Sequence, residues 1–193
     1  MTKNRLEAFS DGVFAIIITI MVLELKVPHS VQLSALFALW PIFLSYVLSF
    51  VFLGIYWNNH HHMLHVVARV AGRNLWANLH LLFWLSLVPF VTGWMGENHF
   101  APLPVALYGA ILLCAACAYW VLQRSLIKSG GPDCQLARAV GNRWKEYLSP
   151  LLYAAAIGLA FVQPLISCAL YVIVSVIWLM PDPRIEQTLS LPR

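Results

Sequence analysis

The sequence predicts an all-α, polytopic membrane protein with six transmembrane helices. Three observations predict it. Hydrophobic residues fill 61% of the 193 positions and charged residues only 10%, whereas a soluble domain carries roughly 25% charged residues. The apolar residues are gathered into runs long enough to cross a bilayer. Once six spans are drawn, the basic residues segregate to one side of the membrane.

The first span is read over 5–27. Lys3 and Arg5 precede it as in a cleavable leader, but Glu7 and Asp11 interrupt that basic region. No small-x-small cleavage site follows Leu23, so the span is read as a retained helix. The second runs over 33–67, with Pro41 near its start as a bend or a later starting point. The third runs over 74–94, where Pro89 predicts a kink. The fourth covers 104–127. The stretch KSGGPDCQ then reads as a flexible loop dividing four spans from two. The fifth and sixth cover 146–162 and 165–180, joined by a tight hairpin at Gln163 and Pro164. The chain reads as a single six-helix unit over 1–193, with no soluble domain and no strong internal repeat.

With both termini on one side, Lys3, Arg5, Arg69, Arg73, Arg124, Lys128, Arg138, Arg143, Lys145, Arg184 and Arg193 share that side, and Lys26 alone falls on the other. Eleven against one places the termini in the cytoplasm, and an odd number of spans would destroy the segregation. The formal net charge of +4 is therefore orientation information. The basic residues are scattered without an aromatic platform, so nucleic acid is not an expected partner. The four cysteines form no framework; Cys114 and Cys117 in ILLCAACAYW read as small apolar residues at a helix contact.

This topology brings polar residues to a common depth. Ser10 and Asp11 lie in the cytoplasmic half of the first span. YWNNHHHMLH ends the second span there, and RNLWANLHLLFW begins the third. Asn58, Asn59, His60, His61, His62, Asn74, Trp76, Asn78 and His80 should share that level. Ionisable groups inside a membrane normally face protein or water and are paired. A carboxylate needs donors, which Asn, His and Trp supply. An interhelical network from Ser10 and Asp11 to the next two spans is expected, either as packing glue without chemistry or as part of a functional site. His61 and His65 stand at a spacing that can hold a metal, and His80 could join the run in holding haem. The simpler reading is a solvated histidine face, with no metal and no cofactor.

On a wheel of about 100° per residue with Asp11 at zero, Thr19 falls at about 80°, Gly12 at about 100°, Leu23 at about 120°, Ile16 at about 140°, Phe9 at about 160° and Ile20 at about 180°. These residues make one stripe, and Ser10 and Asp11 point elsewhere. One face thus bonds to neighbouring helices and the other shows bulky aliphatics and one hydroxyl. Periodicity leaves open whether the stripe meets lipid, packed protein or a central axis.

Arg5, Phe9, Ser10 and Asp11 form R-x-x-x-F-S-D at the head of RLEAFSDGVFAIIITIMVLELKVP. This stretch resembles the signature of the lysosomal-type potassium channel family and its prokaryotic relatives. YWNNHHHML and NLHLLFWLSLVPF resemble that family's second and third helices, and the likeness extends over essentially the whole chain. The resemblance implies a homotetramer in the lipid bilayer, one six-helix unit per chain, whose first helices line a central pore without a T-V-G-Y-G filter. Constriction falls on Ile16, Ile20 and Leu23, and Thr19 matches a position whose hydroxyl is associated with potassium preference. It assigns Arg5, Phe9, Ser10, Asp11, one of His60 and its neighbours such as His61, and Trp76 or Asn78 to the interhelical network. The implied activity is a modestly potassium-selective cation channel of the cell membrane, with K⁺ the permeant ion and no enzyme activity. A proton-coupled transporter or proton pathway using Asp11 and the histidines stands as the alternative, and a haem or metal enzyme as a more distant one.

Overall fold

The computed structural model describes residues 2–67, 70–131, 134–139 and 144–179, apart from the side chains of 138 and 139. Every regular element among them is helical: α1 (Lys3–Met21), a 3-10 turn (Val22–Glu24), α2 (Leu33–Phe37), α3 (Trp40–His65), α4 (Gly72–Ser86), α5 (Val88–Glu97), α6 (Pro102–Gly130), α7 (Gln135–Ala139), α8 (Trp144–Leu159) and α9 (Pro164–Leu179). Among the described residues, four segments are long and apolar enough to span a membrane: 3–24, 40–65, 72–97 and 102–130. The described parts of α8 and α9, 16 residues each, are about 24 Å long, beside a hydrocarbon core of about 30 Å.

Prolines account for several boundaries. The second span begins at Trp40 with Pro41 in its first turn, where a missing N–H costs nothing. The short α2 stands before it, so of the two alternatives at Pro41 the later start is the one found. Pro89 does more than kink the third span. Its ring excludes the carbonyl four residues back, and the chain breaks at Leu87 into α4 and α5. The fourth span continues three residues into the expected loop, to Gly130, and α7 begins at Gln135. Pro132 and Asp133 of that loop lie outside the described residues, as do Met180 at the expected end of the sixth span and Arg69, Arg143, Arg184 and Arg193. The hairpin at Gln163 and Pro164 separates α8 from α9.

α1 packs on α3, α4 and α5, while α6 joins α4 and α5 to α8 and α9. The core is aliphatic and aromatic, with Phe14, Met21, Leu53, Leu81, Met95, Leu112 and Tyr171 essentially sealed. Hydrophobicity drives no helix association within lipid, so close packing and polar contacts must hold the bundle. Ser49 Oγ lies 2.6 Å from Thr92 Oγ1 and 3.0 Å from Tyr108 Oη, tying α3, α5 and α6 together. Tyr171 Oη donates to the Val105 carbonyl at 3.0 Å, fastening α9 to α6. Between α5 and α6 the chain reverses through His99 and Phe100 at φ 49° and 59°, a region costly for residues with a Cβ. Phe100 N–H donates to Met95 O at 3.0 Å, and the Phe100 ring lies 6.1 Å from Trp40.

Gly96 permits the contact of α5 with α3. A Cβ there would stand 2.7 Å from the Ile42 Cα and 2.5 Å from Ser45 Oγ. Gly54, on α3, has nothing within 4 Å of such a Cβ. Gly96→Ala should therefore destabilise the bundle by about 1–3 kcal/mol through overpacking. Gly54→Ala should be neutral or stabilising by up to about 1 kcal/mol through helix propensity. Unfolding of the two variants in detergent, followed by circular dichroism, checks the contrast.

Candidate functional site

Two faces of α1 have opposite surroundings. Leu6, Ser10, Phe14, Ile17 and Met21 are buried against the bundle. Phe9, Ile16, Ile20 and Leu23 stand 49%, 58%, 44% and 77% exposed, and Arg5, Gly12 and Thr19 share their side. The buried set centres at about 260° on the wheel that has Asp11 at zero and this exposed set at about 130°, so the two occupy different sides of the helix. Leu23 belongs to the 3-10 turn and not to the α-helix. The wheel therefore places it less exactly than Ile16 or Ile20, although it is the most exposed of the four.

The inner face is fixed by a chain of side chains from three helices. Ser10 Oγ donates to the Leu6 carbonyl at 2.9 Å. Asn78 Nδ2 donates to Ser10 Oγ at 2.9 Å, and Asn78 Oδ1 meets His60 Nε2 at 2.7 Å. The amide oxygen can only accept, so this arrangement puts a proton on His60 Nε2. Ser10, Asn78 and His60 are all within 1% of complete burial. The Phe14 ring, one turn along α1, lies 5.7 Å from the His60 ring.

Asp11 stands at the edge of this face and has a different partner. The indole Nε1 of Trp57 donates to Asp11 Oδ1 at 3.0 Å. The His61 ring stacks on Trp57 at 6.2 Å and is itself exposed. His61 in turn lies 5.7 Å from His62 and 6.0 Å from His65. Lys3 Nζ donates to the His65 carbonyl at 2.7 Å, fastening the start of α1 to the end of α3.

The expected network is thus assembled in part. Ser10, His60 and Asn78 form one hydrogen-bonded chain, and Asp11 joins through Trp57, which the sequence reading had not singled out. Arg5 and Phe9 lie on the outward face of α1, and no hydrogen bond among the described residues links them to the chain. Trp76 is 75% exposed. Two residues before Asn78 on α4, its side chain is turned about 200° from that of Asn78, and no hydrogen bond among the described residues links it to the chain. Of the other residues at this depth, Asn59 donates to the Ile55 carbonyl within its own helix. Asn74 donates to Ser125 Oγ at 2.9 Å and accepts from Ser129 Oγ and the Ala71 N–H. Trp84 Nε1 donates to His80 Nε2 at 3.0 Å. No three His, Cys, Asp or Glu side chains among the described residues converge as a metal site, and all four cysteines are free thiols.

Thr19 has a distinctive arrangement on the outward face. Its Oγ1 lies 2.9 Å from the Ala15 carbonyl and 3.0 Å from the Ile16 carbonyl. The hydroxyl proton is spent on the helix's own backbone, which leaves the oxygen lone pairs as the part of Thr19 available to an approaching cation. At the far end, the Glu24 carboxylate packs over Gly93 of α5, where a Cβ would meet its Oε2 at 2.7 Å. Lys26 and Glu97 form an ion pair beside it. The Glu97 hydrogen bond and charge raise the Lys26 ammonium above its usual range. The stabilisation from this raised group is present below lysine's ordinary value and fades as pH rises through the raised one, so the pair is intact at neutral pH.

The family model described as endosomal/lysosomal potassium channel TMEM175 matches residues 5–89, the stretch holding α1, the Trp57–Asp11 bond and the Ser10–Asn78–His60 chain. A protein named potassium channel from Chryseobacterium sp. (strain P1-3) is 52% identical over 190 residues, covering 98% of this chain and 99% of that one. A protein named endosomal/lysosomal proton channel TMEM175 from Rattus norvegicus is 38% identical over 96 residues, 43% of this chain and 19% of that one. Among solved structures, the crystal structure of a lysosomal potassium-selective channel TMEM175 homolog from Chamaesiphon minutus superposes with a TM-score of 0.78. It is 33% identical, with 91% of this chain and 95% of that chain covered. The chain is a multi-pass membrane protein and belongs to the TMEM175 family, a family of ion channels and not of enzymes.

Proposed function

We propose that four copies of this chain form a potassium channel in the cell membrane, with α1 of each copy lining a shared axis and both termini in the cytoplasm. In this reading α8 and α9 complete six spans. The observation that carries it is the uncovered stripe of Ile16, Thr19, Ile20 and Leu23, opposite a face of α1 that is pinned to its own bundle. The names of the bacterial relatives supply the ion.

Rings of branched side chains repel water, and a narrow apolar ring closes a pore by dewetting. If the rings at Ile16, Ile20 and Leu23 part, a largely hydrated ion can pass. K⁺ sheds hydration more readily than Na⁺, which gives a modest preference. The Thr19 oxygens offer the stripe's polar contact to an ion between two apolar rings. No bound cofactor takes part; K⁺ is the permeating ion.

The second reading is proton conduction, favoured by the name of the vertebrate relative. Asp11 and the histidines would carry it. Against a relay through Asp11, its partner is an indole N–H, which donates but accepts no proton.

Reversal potentials of purified protein in planar bilayers separate these readings. The channel reading predicts a potential that follows the K⁺ gradient and stays almost fixed under a pH gradient. Ile16→Asn should raise conductance severalfold and move the K⁺/Na⁺ reversal potential toward zero, with a smaller shift for Leu23→Ala. Asp11→Asn should lower the yield of assembled protein while sparing ion preference; a transporter would lose transport with folding intact. Asn78→Ala should cost about 1–3 kcal/mol of stability by stranding buried His60 and Ser10, measured by thermal unfolding, with selectivity unchanged in what assembles.

A further inference from the structure

A second concave feature lies away from α1, between α3, α6, α8 and α9. It encloses about 550 Å³, its open mouth included, and no residue of α1 lines it. Its walls are chiefly aromatic: Tyr56, Tyr119, Trp120 and Trp178 contribute, with the buried Gln123 amide among them. Glu146, from the first turn of α8, lines the same cleft.

One oxygen of the Glu146 carboxylate is left without a partner there. Its Oε2 is the one buried side-chain polar atom among the described residues without a hydrogen-bond partner. Three donors that line the cleft are engaged elsewhere. Trp178 Nε1 donates to Ser149 Oγ at 2.7 Å, and Ser149 Oγ donates to the Lys145 carbonyl at 2.8 Å. Tyr119 Oη lies 3.3 Å from the Asn59 carbonyl to which it donates. A buried oxygen of this kind costs free energy unless something pairs with it. A metal ion would want several hard ligands, and this cleft supplies one carboxylate amid rings. An ammonium group fits both features: it pairs with the carboxylate and is attracted to the faces of Trp and Tyr.

We propose that this cleft binds a monovalent organic ammonium ion, with the charged nitrogen at Glu146 and an apolar body among Tyr56, Tyr119, Trp120 and Trp178. The amine belongs either to a free amphiphile or to the headgroup of an aminophospholipid. The site is separate from the conduction path, so its failure would leave the channel reading untouched.

Isothermal titration of purified full-length protein with phenethylammonium, beside its neutral analogue 2-phenylethanol, tests the proposal. Saturable binding of the ammonium and at least about tenfold weaker binding of the alcohol are expected. Glu146→Gln should weaken ammonium binding by about tenfold or more, and Ala116→Phe, which fills the cleft from α6, should abolish it while Glu146 remains. Native mass spectrometry then identifies the source. Phosphatidylethanolamine retained by the wild type, lost in Glu146→Gln and displaced by phenethylammonium, supports the lipid amine. Ammonium binding with no retained aminophospholipid supports the free one. Equal affinity for ammonium and alcohol, or unchanged ammonium binding in correctly folded Glu146→Gln and Ala116→Phe, overturns the proposal.

Discussion

The hydrogen-bonded chain from Ser10 through Asn78 to His60 is the constraint on which the rest of the structure depends. Inside a membrane there is no hydrophobic penalty for turning a helix such as α1, because lipid accepts an aliphatic side chain as readily as protein does. Ile16 and Ile17 are chemically alike, yet one is 58% and the other 4% exposed. Hydrocarbon alone cannot decide between them. Three polar groups that would be stranded by rotation can decide, because each has a partner only at one helical phase. Burial within 1% of complete sharpens the choice, since no water replaces a lost bond.

Fixing α1 on one side leaves the other side as a surface. Asp11–Trp57 at one edge and Lys3–His65 at the end add further anchors to α3. They hold the half of α1 that is richest in polar residues. The aliphatic half beyond Ile16 is held by packing of Ile17 and Met21 and by the Glu24 carboxylate over Gly93. Polar anchoring at one end and softer apolar contact at the other would confine movement to the end that carries the proposed constriction. That division fits a helix that must be placed accurately yet still admit an ion.

Much of this was legible in the sequence. The topology count put Ser10, His60 and Asn78 at one depth, and the helical period set Ile16, Thr19 and Ile20 on a stripe apart from Ser10. These inferences worked because depth follows from span order and phase follows from a repeat of 3.6 residues. Partner identity did not follow. The second span is apolar on nearly all sides, so its rotation carries no signal, and nothing distinguished Trp57 from the three histidines beside it as Asp11's donor. Depth and the family resemblance both drew Trp76 into the network, while its spacing from Asn78 turns the two side chains apart. Leu23 lies past the point where α1 tightens into a 3-10 turn, which a fixed period does not anticipate. The Glu146 cleft was invisible because it is made by four helices distant in sequence.

Whether the uncovered face of α1 meets a common axis is the central question, and a cysteine at Ile20 addresses it most directly. In protein whose native cysteines have been replaced, oxidation of Ile20→Cys should link copies to one another. A small cationic methanethiosulfonate applied to the reconstituted channel should then block current through the unlinked form. If copies never link at that position, and the thiol reacts only with lipid-soluble reagents while current persists, α1 faces acyl chains and the account is wrong.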